Sequence, residues 1–150
     1  MNIVDSIKLK GVFECKIYKV INGEYILQEE YIDNNVIVNV GKEKITKLLG
    51  NDVGFHHIQS ISFGTSNVNP TVVDTTITND FNKGFVDVEY PDIFTVKFIW
   101  ELLVDEANGK AITEFGLICS DGTLFARKIR GVILKESDVY LSGSWSIRVL

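Results

Sequence analysis

Residues 114–127 read Glu-Phe-Gly-Leu-Ile-Cys-Ser-Asp-Gly-Thr-Leu-Phe-Ala-Arg, two largely apolar runs separated by an Asp-Gly pair. Asp-Gly supplies the positive backbone angles that a two-residue hairpin turn requires, so the stretch predicts a β-hairpin that turns at Asp121 and Gly122. Residues on one face of the hairpin would then meet across the two strands. The predicted pairs are Ser120 with Thr123, Cys119 with Leu124 and Leu117 with Ala126.

Apolar and polar residues alternate in three further stretches, which predicts that each is a half-buried strand. The first of these strands would return through a tight turn at Asn22-Gly23. We expect Trp100 and Trp145 in the core because both lie on apolar faces. The residues that share a face are, stretch by stretch, Ile7, Leu9, Phe13, Cys15 and Ile17; Phe94, Val96, Phe98, Trp100 and Leu102; and Val139, Leu141, Trp145, Ile147 and Val149.

Residues 41–49 are the clearest helical segment, since Ile45, Leu48 and Leu49 recur at helical spacing. A helix this short is not stable alone, so we expect its apolar stripe to pack on the sheet. About eight predicted strands with short turns indicate a mainly β fold. We predict an antiparallel, jelly-roll-like β-sandwich with one short α-helix near residues 41–49, formed by residues 1–150 as a single domain.

The net charge of −5 argues against general nucleic-acid binding, which requires a basic surface. The N-terminus lacks the basic start and long apolar core of a signal peptide. The most apolar stretch, 93–104, contains Lys97 and Glu101 and is too short to span a bilayer. We therefore predict no nucleic-acid partner and no membrane partner. Cys15 and Cys119 lie in apolar runs and are interpreted as buried thiols of a protein made in a reducing cytosol, although a disulfide between them stays open.

Reactive side chains form no recognisable motif in the sequence. His56 and His57 would point to opposite faces of a strand, so we interpret them as surface or loop-edge residues rather than a metal site. Residues 105–109 superficially resemble a calcium loop but lack its alternating ligands, which favours a plain turn. The sequence contains no nucleophile elbow, Walker loop or dinucleotide fingerprint. We predict no catalytic residue, no metal and no cofactor, and a protein that is not an enzyme.

Residues 62–79 predict a strand end followed by a long polar loop. Ser-Phe-Gly-Thr-Ser-Asn-Val-Asn-Pro at 62–70 precedes Asp-Thr-Thr-Ile-Thr-Asn at 74–79, and the glycine, serine, asparagine and proline content is typical of a loop. Asp74 is expected to cap a short turn over residues 75–79. Asparagine and threonine side chains can bond to a neighbour's backbone, so this loop is a candidate contact arm.

Arg127, Lys128 and Arg130 form a basic cluster on the strand after the hairpin turn. It has two interpretations, contact with an acidic neighbouring subunit or a surface glycan, or a solvated edge that discourages stray strand pairing. Together with the loop, the sequence proposes these candidate partner contacts: Asn67, Asn69, Thr75, Asn79, Arg127, Lys128 and Arg130.

The two blocks, in this order, resemble the tail-collar fibre domains of tailed bacteriophages. The resemblance covers about half of the chain, within residues 58–130, and its motifs are structural rather than catalytic. The elements that carry it are Phe63-Gly64-Thr65, Pro70, Asp74-Thr75-Thr76 and Asn79 in the first block, and Glu114-Phe115-Gly116-Leu117, Asp121-Gly122 and Thr123-Leu124-Phe125-Ala126 in the second.

This resemblance implies a virion structural protein that is synthesised in the host bacterial cytoplasm, forms a homo-oligomer and contacts other tail, neck or fibre proteins. The early strands and the helix do not map onto the family pattern, and we expect no long fibrous extension after the domain. We therefore expect a tail, baseplate or neck component rather than a receptor-binding fibre. The alternative is a carbohydrate- or receptor-binding β-sandwich module, at a fibre tip or decorating a capsid, with a host glycan as its partner. An enzyme that degrades envelope glycans is a third and weaker hypothesis.

Overall fold

The computed structural model describes residues 5–150. The first four residues belong to the predicted domain and to the N-terminus that lacks the features of a signal peptide, and they lie outside the described residues. Residues 5–150 form ten strands and one helix. In chain order these are β1 (Leu9–Ile21), β2 (Glu24–Asn34), β3 (Val36–Ile37), α1 (Asn39–Leu49), β4 (Ile58–Gly64), β5 (Phe81–Gly84), β6 (Asp87–Asp92), β7 (Thr95–Leu102), β8 (Ala111–Cys119), β9 (Leu124–Leu134) and β10 (Val139–Val149).

The strands form two antiparallel sheets of five that pack together. Sheet A has the order β2-β1-β10-β7-β6, and sheet B has the order β3-β9-β8-β4-β5. The predicted mainly β, antiparallel sandwich with one short helix is confirmed. The expectation of about eight strands was too low, because β3 has two residues and the short edge strand β6 is exposed along its whole length. Two residues are too few to show an apolar alternation, and Pro91 within β6 argues against a strand in the sequence.

The hairpin between β8 and β9 turns at the expected place with a different geometry. Gly122 has φ +91 but Asp121 does not have a positive φ, whereas the predicted two-residue turn requires positive φ at both residues. The Gly122 amide donates to the Cys119 carbonyl (2.9 Å) and the Cys119 amide to the Thr123 carbonyl (2.8 Å), which is the pattern of a three-residue loop closed by a bulge. The predicted pair Leu117–Ala126 is confirmed, but the pairs drawn nearer the turn are wrong, since Ile118 is paired with Leu124.

One apolar core joins the two sheets around a cluster of aromatic rings. The Phe13 ring lies 4.6 Å from Phe115 and 5.0 Å from Trp145, measured between centroids. Trp100 and Trp145 are 1% and 0% exposed, which confirms their predicted place in the core. Rings at these separations contribute more than their buried area alone.

Cys15 and Cys119 are buried free thiols, as predicted. Burial disfavours the thiolate and raises the pKa of Cys15 to about 12 and that of Cys119 to about 11. Both residues therefore behave as small apolar core groups rather than as nucleophiles.

The helix was predicted correctly in position, but the face that it packs differs. Ile45 contacts the core, whereas Leu48 and Leu49 are 52% and 83% exposed, so the expected three-residue stripe is wrong. The closest approach is at Gly41, where a Cβ would lie 2.4 Å from the Phe125 carbonyl oxygen. The helix rests on the backbone of β9 through a residue with no side chain.

We expect Gly41→Ala to destabilise the fold although alanine is the better helix former. Alanine gains about 1 kcal/mol over glycine in a helix interior, but overpacking against backbone costs about 1–3 kcal/mol. The net loss should be about 1 kcal/mol, read as a lower urea midpoint. The matched control is Gly50→Ala at the other end of the helix, where the nearest atom would be 3.6 Å from the Cβ. If both variants gain stability, the close approach at Gly41 is not a constraint.

Candidate functional site: a loop held by a buried carboxylate

The two sequence blocks meet in space where the loop of residues 65–80 crosses the outer face of sheet B. Glu114 and Gly116 face away from the core, because Phe115 and its neighbours in the alternation point into it. The loop lies on this outer face and covers Glu114, which is 0% exposed. A residue from the second block thus lies beneath the first.

Glu114 holds both ends of the loop. Its Oε1 accepts hydrogen bonds from the backbone amides of Ser66 (3.1 Å) and Thr78 (2.7 Å). Its Oε2 accepts one from Nε of Arg127 at 2.8 Å. Thr113 adds a third tie, since its hydroxyl donates to the Ser66 carbonyl at 2.7 Å. A carboxylate that accepts charged and backbone donors in a dry site is a strong anchor.

Arg127 extends this network to the middle of the loop. Its NH1 donates to Oδ2 of Asp74 at 2.9 Å, and its side chain is 4% exposed. Both interpretations of Arg127 assumed an exposed guanidinium, and the structure corrects this, because Glu114 and Asp74 neutralise its charge inside the protein. Arg127 is therefore not part of the surface that a partner could reach.

Asp74 closes the turn that precedes it rather than the one that follows. It accepts hydrogen bonds from the amide and the hydroxyl of Thr71, both at 2.9 Å. The expected cap over residues 75–79 is therefore wrong. Partial burial raises the pKa of Asp74, but the hydrogen bonds from Thr71 and Arg127 outweigh it, so the pKa lies below its usual value. The carboxylate stays charged at neutral pH.

Two glycines leave space on the sheet in which a side chain of the loop packs. A Cβ at Gly64 would lie 2.5 Å from the Ile77 side chain and 2.5 Å from Oε1 of Glu114, and a Cβ at Gly116 would lie 2.6 Å from Ile77. Ile77 therefore fills the space that both glycines leave open. The apolar contact of Ile77 and the ionic network of Glu114 fix the same loop independently.

The outward side of the loop presents the residues that the sequence proposed as contacts. Asn67, Asn69, Thr75 and Asn79 are all exposed, and Asn79 has φ +47, a left-handed conformation that asparagine tolerates. Beside the loop runs a polar groove of about 530 Å³. Its lining includes Thr75, Ser60, Ser62, Asp80 and Asn82.

The rest of the basic cluster lies at another place and is engaged within the protein. Nζ of Lys128 lies 2.6 Å from Oδ2 of Asp33, and NH2 of Arg130 lies 3.3 Å from Oε2 of Glu29, so both cations reach from sheet B to strand β2 of sheet A. Both also lie over the Tyr31 ring. Their side chains are 12% and 10% exposed, so the solvated edge, one of the two interpretations left open by the sequence, is wrong for these residues. They connect sheet B to sheet A instead.

The two histidines lie in the segment before β4 rather than on a strand. The His56 ring is 2.9 Å from Oδ2 of Asp52 and 3.2 Å from Nζ of Lys44. The His57 ring lies 3.3 Å from the Ser120 hydroxyl. Within residues 5–150 no cluster of three or more metal-ligating side chains occurs.

No family model, curated protein or solved structure matches this chain. None of the helices within residues 5–150 has the length and apolar character needed to cross a bilayer.

Proposed function

We propose that this chain is a structural protein of a tailed-bacteriophage virion, a tail, baseplate, neck or fibre-attachment component, and that it binds neighbouring virion proteins through loop 65–80 in a symmetric homo-oligomer. One observation carries the proposal. The two blocks that resemble tail-collar fibre domains meet at a single place, where Glu114 of the second block holds the loop of the first.

The anchoring of the loop supports a role in contact. Loops longer than about 12–15 residues without secondary structure are uncommon in compact domains and are usually functional or disordered. This loop is tied down by Glu114, Arg127 and Ile77 while its asparagines stay exposed. A preordered surface loses less conformational entropy on binding, which suits a permanent contact in a symmetric assembly.

The groove beside the loop gives a partner a place to enter. Nδ2 of Asn82 donates to the hydroxyls of Ser60 and Ser62, each at 2.9 Å, and the Ser62 hydroxyl donates to Oδ2 of Asp80 at 2.9 Å. These polar groups are held in place by one another. A side chain or backbone segment of a neighbouring subunit would find donors and acceptors already oriented.

We expect the double variant Asn67→Ala/Asn69→Ala to enter particles about tenfold less than the wild type, a difference of about 1.4 kcal/mol in binding. Both side chains are exposed, so the melting temperature should stay unchanged. The measurement is mass spectrometry of purified particles from a complemented phage that lacks the chain. Asn34→Ala, an exposed asparagine on β2, is the matched control and should enter normally.

Two results would count against this proposal at different levels. Equal incorporation of the double variant would remove the loop as the contact but leave the virion role. Native mass spectrometry that finds only a monomer, together with no density for the chain in cryo-electron micrographs of the particles, would overturn the virion role itself.

A further inference from the structure

The outer face of sheet A carries a groove that loop 65–80 does not touch. Strand β10 is the central strand, and its outward residues Ser142 and Ser144 are small. Register places Ser142 between Lys16 of β1 and Glu101 of β7. The short serines form a floor between longer side chains on both neighbours.

Two depressions of about 280 Å³ and 450 Å³ lie along this floor. They share Glu101, Tyr140 and Ser142, so they form one continuous groove. At the first depression the lining includes charged side chains of both signs, among them Glu14 and Lys97. A surface with hydroxyls, carboxylates and ammonium groups offers both donors and acceptors.

Three tyrosines close one end of the groove. The rings of Tyr18 and Tyr25 lie 5.8 Å and 5.2 Å from the ring of Tyr140, and Tyr25 is 56% exposed. The Tyr140 hydroxyl donates to Oε2 of Glu101 at 2.6 Å. Burial and this hydrogen bond raise the pKa of Tyr140, so its phenol keeps its proton and remains the donor.

This bond leaves the second oxygen of Glu101 available. Oε1 of Glu101 accepts no hydrogen bond from residues 5–150, and Glu101 lines both depressions. The groove thus combines an exposed aromatic ring with an oriented carboxylate and several hydroxyls, and sugars can bind to both kinds of group. Sugars present C–H faces that pack on aromatic rings and hydroxyls that bind oxygen acceptors.

We infer that the groove formed by Glu14, Lys16, Glu101, Tyr25, Tyr140 and Ser142 is an oligosaccharide-binding site. Tyr25 provides the stacking ring, Glu101 accepts sugar hydroxyls, and Ser142 leaves room for the sugar to lie across the central strand. The site is independent of the virion contact, because no residue of loop 65–80 lines it.

The composition of the groove favours a sugar over a protein. Interface cores are depleted in charged residues, whereas the centre of this face carries Glu14, Lys16, Lys97 and Glu101. A protein that covered these groups would have to pair each of them on binding. An oligosaccharide can exchange water for hydroxyls at the same positions.

The test is binding to an array of hexose, N-acetylhexosamine and uronic-acid oligosaccharides, followed by calorimetry with an oligosaccharide that binds. Tyr25→Ala should weaken binding at least tenfold, and Ser142→Trp should abolish it by filling the floor. Tyr90→Ala is the matched control, since Tyr90 is 76% exposed on β6 outside the groove, and it should bind as the wild type does. Tyr25 is exposed, so its variant remains informative if Ser142→Trp does not fold.

Several results overturn the inference. They are the absence of binding to any oligosaccharide on the array at about 1 mM, binding that survives Tyr25→Ala, and cross-linking that places another virion protein over Lys16 and Lys97. Binding that is lost in Asn67→Ala/Asn69→Ala but kept in Tyr25→Ala would move the sugar site to the loop. The wild-type result with sugars does not depend on incorporation into particles, so the failure of one proposal leaves the other standing.

Discussion

Replacing Glu114 with alanine should lower the free energy of unfolding by about 3–5 kcal/mol, the usual cost of removing one partner of a buried ion pair. Arg127 would keep Asp74 but lose the carboxylate at Nε, and the amides of Ser66 and Thr78 would lose their acceptor. In a domain of this size the loss corresponds to a fall of about 6–20 °C in melting temperature. Glu89→Ala, which removes an exposed glutamate on edge strand β6, should change stability by less than about 0.5 kcal/mol.

Hydrogen exchange separates this mechanism from a general loss of packing. Without Glu114 the Ser66 and Thr78 amides should exchange much faster than the backbone amides of the central strand β10, because the loop opens before the sandwich does. A double variant, Glu114→Leu/Arg127→Met, should be more stable than Glu114→Ala, since it removes the buried guanidinium together with the carboxylate. Asp74 loses Arg127 in this variant, but it is partly exposed and keeps its hydrogen bonds from Thr71. Unchanged protection of the two loop amides in Glu114→Ala would show that the carboxylate does not hold the loop.

The β-sandwich could be predicted because the patterns that indicate strands and turns each span only a few consecutive residues. Alternation in β1, β7 and β10 identifies the buried face of each strand within a few residues, and Asn22-Gly23 adopts positive φ at both positions as expected for a tight turn. The Asp121-Gly122 turn looks the same in sequence, yet it closes with a bulge. Turn type depends on the register of the paired strands, which the dipeptide does not determine.

The ionic anchor could not be predicted from one sequence because its members are far apart along the chain. A strand arginine next to Lys128 reads as a surface charge, and charged residues are rarely fully buried unless they are paired. The pairing of Arg127 depends on Asp74, fifty-three residues away, and on Glu114 across the hairpin. One local signal was present, since Glu114 and Arg127 are charged residues on two hairpin strands that are otherwise apolar between them, apart from the polar turn at 120–123.

The exposed contact residues, unlike the ionic anchor, could be predicted from the sequence. The sequence predicts Asn67, Asn69, Thr75 and Asn79 as contacts because asparagine and threonine side chains can bond to a neighbour's backbone. The structure places all four at the surface. The groove on sheet A gave no such signal. Tyr25 and Tyr140 lie more than a hundred residues apart, and only the pairing of β1 with β2 and β10 brings them together.

The second large expected effect is on the free energy of unfolding in Gly116→Val, which fills the space in which Ile77 of the loop packs. The new Cβ would lie 2.6 Å from Cγ1 of Ile77 and 3.0 Å from Cδ1 of Leu124, before the two methyl groups of valine are added. Overpacking of this kind costs about 1–3 kcal/mol, and we expect the upper end because β8 is an interior strand that cannot move away. Gly131→Val on β9 is the matched control, since no atom lies within 4 Å of its Cβ position.

Shortening Ile77, the residue that fills this space, should recover part of the lost free energy of unfolding. Ile77→Ala alone loses the apolar contact of the loop, but combined with Gly116→Val it removes the clash, so the two changes should be less destabilising together than the sum of their separate effects. Residues in contact typically show coupling of about 0.5–3 kcal/mol in such a cycle. Urea unfolding of the four proteins measures this coupling directly. Additive effects would mean that Ile77 does not occupy the space above Gly116, and the loop would then depend on Glu114 alone for its position.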